Sequence, residues 1–381
     1  MDNRLMSNTI NFLRFPLTVA VVYIHFNISR KGISVHGINF GTDNPDWYTF
    51  VINLFSSVIA SIAVPLFFLI SGYLFFCQKD FNKEIYLSKL KKRIKTLLIP
   101  FILWNLIAIL YQSIRFVPFF SSFFPGVYKT EVQLTLVRVL NTFFCCTLSN
   151  GIFVSPMEYT MTEIVNEPYP IDVPLWYIRD LMVAVIMSPA IYLLIKRCHL
   201  WYIIFIGVLW YIKNLIFPTG GYITMLLTSL TFFSWGAYYA VNQIDFIVRM
   251  RKLKYFLLLY IPIAILDTFL HYSEYSYLVH NLGILFGVIV ALVISAYFVE
   301  AGATIPPILK NATFFVYAFH KLIIDDVAKI VFSVLHLPDD TYIMLLLYII
   351  IPIITICVCV LLYKFINKFL PAVCDLLTGG R

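Results

Sequence analysis

The chain has 381 residues, 61% of them hydrophobic, 17% aromatic and only 13% charged, with a formal net charge of +8 and a mean hydropathy of +0.86. A soluble domain carries about 25% charged residues, so this composition excludes an ordinary soluble fold and points to a polytopic protein embedded in a lipid bilayer. The basic excess invites a nucleic-acid partner, but the placement of the basic residues argues against one.

Hydropathy yields ten candidate spans, at 10–28, 48–77, 96–114, 174–195, 199–217, 222–241, 255–271, 278–299, 311–335 and 341–363. The expected fold is therefore all-α, a bundle of about ten transmembrane helices forming one domain over 1–381 without a separate soluble domain. With the N-terminus in the cytoplasm, Arg4, Lys79, Lys83, Lys89, Lys91, Lys92, Arg93, Lys95, Lys196, Arg197, Arg249, Arg251, Lys252, Lys254, Lys310, Lys364, Lys368 and Arg381 collect on one side. Only Arg30, Lys31, Arg115, Lys129 and Arg138 fall on the other. The positive-inside rule then places both termini in the cytoplasm and reads the basic excess as a topology signal.

The first span is too polar, and lacks the small-residue cleavage site, for a removable signal peptide. It carries Arg14 and His25, eleven residues apart. Ionisable groups inside a bilayer cost about 2.5–3.5 kcal/mol each and are functional candidates by default. Eleven helical steps make about three turns plus 20°, so both side chains share one face, about 16 Å apart along the axis. A cation near the membrane edge and an imidazole near mid-bilayer suit an anionic ligand with its chemistry at the far end.

The second span ends in VPLFFLISGYLF (64–75), where Ser71-Gly72-Tyr73 interrupts an apolar run. Gly72 permits close backbone approach, either to a ligand or to a packed helix. The run KLKKRIKTLLIPFILWN (89–105) leads into the third span, with Arg93 and Lys95 nearest the membrane and best placed for phosphate. Residues 115–173 read as one outward-facing excursion with an interfacial or re-entrant helix within 134–153. Its acidic and aromatic residues, Glu158, Tyr159, Glu163, Glu167, Tyr169 and Asp172, suit a polar acceptor or a packing lid.

The fourth span opens VPLWYIRDLM (173–182), with Trp176, Arg179 and Asp180 as acceptor-side candidates. As i,i+1 neighbours on a helix, Arg179 and Asp180 are expected to meet other helices rather than each other. The ninth span holds FFVYAFHKLIIDD (314–326). Ten residues in from Lys310 put His320 about 15 Å deep, near the depth of His25, where it either frames the same site or packs. Asp325 and Asp326 lie further outward, available to orient a base or to bind acceptor hydroxyls. The seven cysteines show no CxxC pair and no metal spacing with histidine, so no metal is expected.

Six stretches in sequence, RFPLTVAVVYIH, VPLFFLISGYLF, KRIKTLLIPFILW, VPLWYIRDL, FFSWGAYYA (232–240) and VYAFHKLI (316–323), resemble the membrane-bound acyltransferase family 3, as does the terminal LLTGGR. The family's Arg/Lys-x10-His pair falls on Arg14 and His25, its serine-glycine-aromatic motif on Ser71, Gly72 and Tyr73, and its basic loop on Arg93 and Lys95. Thr96 departs from an Arg-x-x-Arg spacing. The resemblance implies a multi-pass enzyme of the cell membrane that transfers an acyl group, commonly acetyl, from cytoplasmic acyl-CoA to a glycan hydroxyl outside, with glycan-biosynthesis proteins as candidate partners. His25 would act as general base or form an acyl-imidazole; the sequence does not choose between them. A transporter or flippase is the competing class, since buried Arg, His and Asp also describe a solute pathway.

Overall fold

The computed structural model describes residues 3–29, 33–35, 38–40, 44–77, 81–114, 131–146, 151–154, 168–218, 220–271, 273 and 276–380. These are helical almost throughout. Helix α1 (Asn3–His25) and a short antiparallel ribbon (Ile33–Val35 with Ile38–Phe40) precede α2 (Asp46–Asn53), which continues through a π turn and a 3-10 turn into α3 (Ala63–Phe76). A second run joins α4 (Lys83–Arg93), a π turn at Ile94–Leu98 and α5 (Ile99–Ile114). Then follow α6 (Leu136–Phe144), α7 (Trp176–Ile186), α8 (Ser188–Cys198), α9 (Leu200–Tyr211), α10 (Lys213–Ile216), α11 (Tyr222–Val241) and α12 (Phe246–Arg251). The chain closes with α13 (Phe256–Leu270), α14 (Ser276–Glu300), α15 (Pro307–Leu335), α16 (Thr341–Phe369) and α17 (Pro371–Thr378).

Among the described residues, five helical runs are long and apolar enough to cross a membrane: Arg4–His25, Asp46–Phe76, Lys83–Ile114, Ser276–Glu300 and Thr341–Phe369. A sixth is possible if α7 and α8, bent by 60° at Met187, count as one. The bend has a local cause: Pro189 brings no N–H for the carbonyl four residues earlier and its ring crowds that turn. The other hydropathy spans are occupied by the shorter α9 and α13 and by α11 and α15. Helix α15 is 29 residues long but carries Lys310, Lys321, Asp325, Asp326 and Lys329. Helix α6, within the excursion, has nine residues, about 14 Å and too short for a crossing. Glu158, Tyr159, Glu163 and Glu167 lie outside the described residues.

Helices α3 and α11 are pressed backbone to backbone. A Cβ at Gly72 would lie 2.8 Å from the Phe233 carbonyl carbon, and one at Gly236 would lie 2.7 Å from the Tyr73 nitrogen. In an apolar medium such small-residue contacts carry helix association. Helix α1 packs on α15 and α14: Phe12 stacks on Phe298 near the end of α14, and His25 meets His320 in the middle of α15.

Candidate active site

Helix α1 stops at His25, and a polar cluster holds its end in place. Ser56 Oγ donates to the Tyr23 carbonyl at 2.8 Å, taking one of the carbonyls that a helix end leaves without an intrahelical partner. The same oxygen meets Tyr348 Oη at 2.7 Å. Tyr23 Oη donates to the Ile349 carbonyl at 3.1 Å, and Asn27 Nδ2 donates to Asn53 Oδ1 and Ser57 Oγ at 3.2 and 2.9 Å. These bonds pin the turn that presents the imidazole.

His25 faces His320, with ring centroids 5.3 Å apart and planes inclined by 47°. His320 is fully buried. Its Nδ1 lies 3.0 Å from the Val316 carbonyl, which can only accept, so Nδ1 carries the hydrogen. The neutral ring then presents a lone pair at Nε2, which is buried and, among the described residues, has no hydrogen-bond partner. His320 lies thirteen residues from one end of α15 and fifteen from the other. The last residue of α1 therefore stands opposite the midpoint of a helix about 43 Å long.

Back along α1, Arg14 is half-buried and interacts electrostatically with the Tyr177 phenol. So does Arg93, from the end of α4. Tyr177 Oη in turn lies 2.8 Å from Ser71 Oγ. Ser71 thus contacts this tyrosine directly, with Arg14 and Arg93 within electrostatic range of it, and its ring packs edge-on against Tyr317 at 6.0 Å. Tyr317 is three residues before His320, and its hydroxyl donates to the Pro174 carbonyl. Tyr177 is not among the candidates that the sequence singles out. Its sole signal was its place next to Trp176 at the head of α7.

Other candidates lie elsewhere. Gly72 packs against Phe233 of α11 rather than facing open space. Tyr73, two residues beyond Ser71, points to the other side and meets Phe246 at 5.0 Å. Lys95 is exposed, whereas Lys89 turns inward, donating to the Phe75 carbonyl. Trp176 is half-buried beside Phe68.

Arg179 and Asp180 correct the i,i+1 expectation: Arg179 Nε lies 2.8 Å from Asp180 Oδ1, both groups being buried. The spacing argument considers where side chains leave the helix, but the long arginine side chain folds back to its neighbour. Arg179 Nη1 also donates to the Phe144 and Pro168 carbonyls, and its guanidinium lies over the Tyr222 ring at 4.6 Å. The pair therefore ties α7 to the excursion. Asp325 is 58% exposed and paired with Lys321 at 2.9 Å. It is the adjacent Asp326 that is buried, its carboxylate accepting from the Tyr111 hydroxyl. An apolar cavity of about 540 Å³ runs from Leu90 and Arg93 to Arg179 and Tyr222, and its lining includes neither His25 nor His320.

Comparison with known proteins bears on the whole chain. A succinoglycan biosynthesis protein, ExoH, of Rhizobium meliloti (strain 1021) is 27% identical over 194 residues, which cover 50% of this chain and 44% of that protein. The chain thus matches less than half the length of this relative. No solved structure matches. The acyltransferase-3 family model, described as an acyltransferase domain, matches residues 7–364. With nearly its whole length matched, the chain belongs to the acyltransferase-3 family.

Proposed function

We propose that the protein is a multi-pass O-acyltransferase of the cell membrane, carrying an acyl group, most simply acetyl, from cytoplasmic acyl-CoA to a hydroxyl of an exported or cell-surface glycan. The observation that carries this reading is the His25–His320 pair at the end of the helix that also bears Arg14. The glycan context is supported by the name of the relative, a succinoglycan biosynthesis protein.

In this reading Arg14 and Arg93 bind the anionic nucleotide end of CoA, with the hydrogen-bonded Ser71–Tyr177 pair within electrostatic range of them. The pantetheine arm runs along α1 toward His25, over the roughly 16 Å that separates it from Arg14. The acceptor hydroxyl oxygen attacks the thioester carbonyl while a His25 ring nitrogen takes the hydroxyl proton. The tetrahedral intermediate then collapses, the carbon–sulfur bond breaks, and the protonated His25 returns the proton to the leaving thiolate. No proton is gained or lost overall. His320, whose ring lies 5.3 Å from that of His25 and whose Nε2 is an acceptor, positions the His25 ring in this reading so that one of its nitrogens acts as base. Both termini are cytoplasmic in this reading, so donor and acceptor approach His25 from opposite ends of the bundle.

The test is glycan analysis of a strain lacking the gene. Loss of an O-acyl mark, restored by the intact gene and not by the His25→Ala variant, supports the reading. An unchanged acylation pattern refutes it.

A further inference from the structure

The basic helix α4 enters the bundle through a π turn, and a sequence cause is visible. Pro100 brings no N–H for the Thr96 carbonyl four residues earlier. The backbone here runs in i→i+5 pattern over Ile94–Leu98, with the Ile99 N–H bonded to the Ile94 carbonyl. A π turn takes in one extra residue. It therefore rotates everything before it, including Lys89 and Arg93, by about 100° relative to an unbroken helix. The direction of Arg93 depends on this turn being kept.

A segment distant in sequence is clamped onto the same turn. Helix α17 (Pro371–Thr378) ends at Gly379, which adopts φ +70°. A Cβ at Gly379 would lie 2.8 Å from both Thr96 Cα and the Thr96 carbonyl oxygen. The preceding turn is anchored by Trp104, whose Nε1 donates to the Leu377 carbonyl at 2.9 Å in a fully buried contact. Cys374, Leu377 and Thr378 are buried as well. Gly380, the next residue, also has a positive φ of 68°, yet a Cβ there would meet nothing within 4 Å among the described residues.

We propose that the segment Pro371–Gly379 is a positioning element of the donor site. Its backbone, brought against Thr96 by the absence of a side chain at Gly379, holds the π turn and so aims Arg93 at the polyanionic nucleotide end of acyl-CoA. This rests on the donor reading given above, and the experiment separates the two. Gly379→Ala and Gly380→Ala introduce the same left-handed strain, but only the first collides with Thr96. CoA affinity is measured by titration calorimetry on the detergent-solubilised full chain at several salt concentrations, with Arg93→Ala in parallel. Gly379→Ala is expected to bind CoA about three- to tenfold more weakly, with a shallower salt dependence because one cation no longer engages. Gly380→Ala stays within about twofold of the parent.

If Gly379→Ala does not fold, Pro100→Ala, which restores the missing N–H and lets the turn relax, is expected to give the same weakening. Wild-type affinity for these variants alongside weakened binding by Arg93→Ala overturns the positioning role and leaves the donor reading standing. Wild-type affinity for Arg93→Ala overturns both. Weakening by Gly379→Ala with an unchanged salt slope also overturns the proposal, since it marks a merely structural loss.

Discussion

Replacing Gly72 by alanine separates packing from ligand contact in the serine-glycine-tyrosine stretch. The added Cβ would lie 2.8 Å from the Phe233 carbonyl carbon and closer still to its oxygen, against an optimum of about 3.5–4.0 Å. Both clashing groups belong to helix backbone, so α3 and α11 must move apart as bodies. Overpacking of this kind costs about 3 kcal/mol at its upper range. Alanine recovers about 1 kcal/mol of helix propensity. The clash wins, with a net destabilisation of about 2 kcal/mol. Gly236→Ala strains the same interface from the other helix, so the double variant should lose less than the sum of the two. Reversible unfolding in mixed micelles reads the stability, and CoA titration reads the site. A Gly72→Ala protein with parental stability and lost CoA binding would refute the packing assignment and return Gly72 to the ligand.

Three further outcomes follow from side-chain placement. Arg93→Ala should weaken CoA binding in a salt-dependent way, whereas Lys95→Ala, at an exposed position, should change it less than about twofold; titration at two ionic strengths checks the order. Asp180→Ala leaves the Arg179 charge buried without its carboxylate and should cost about 3–5 kcal/mol, seen as loss of folded protein on size-exclusion chromatography. Asp326→Ala removes the buried acceptor of the Tyr111 hydroxyl and should cost about 1–3 kcal/mol, while Asp325→Ala stays within about 0.5 kcal/mol by the same unfolding assay.

Periodicity and depth account for what the sequence made legible. Arg14 and His25 lie on one uninterrupted helix, so their shared face follows from 3.6 residues per turn. That His320 meets His25 is open to residue counting because α15 is regular from Pro307 onward and each residue adds about 1.5 Å. Other features needed the tertiary structure. Whether Asp325 or Asp326 turns inward depends on the rotational phase of α15 against its neighbours, which adjacent identical residues do not reveal. Tyr177 is one of 25 tyrosines, and only its tertiary contacts, with Ser71 and Tyr317, make it stand out. The Arg179–Asp180 contact depends on how an arginine folds, not on where it leaves the helix. Hydropathy windows also pass over the break at Met187 and the shortness of α9 and α13, because a proline bend or an early stop barely changes the average.

The central claim, that His25 is the base of an acyl transfer from acyl-CoA, is tested most directly by one comparison. Membranes containing the parent or the His25→Ala protein are supplied with radiolabelled acetyl-CoA, and label entering the glycan fraction is counted, with CoA affinity measured on the same preparations. The account predicts that the variant binds CoA within about twofold of the parent while transfer falls by about 10²–10⁴-fold. Retention of more than about a tenth of the parental transfer would contradict it.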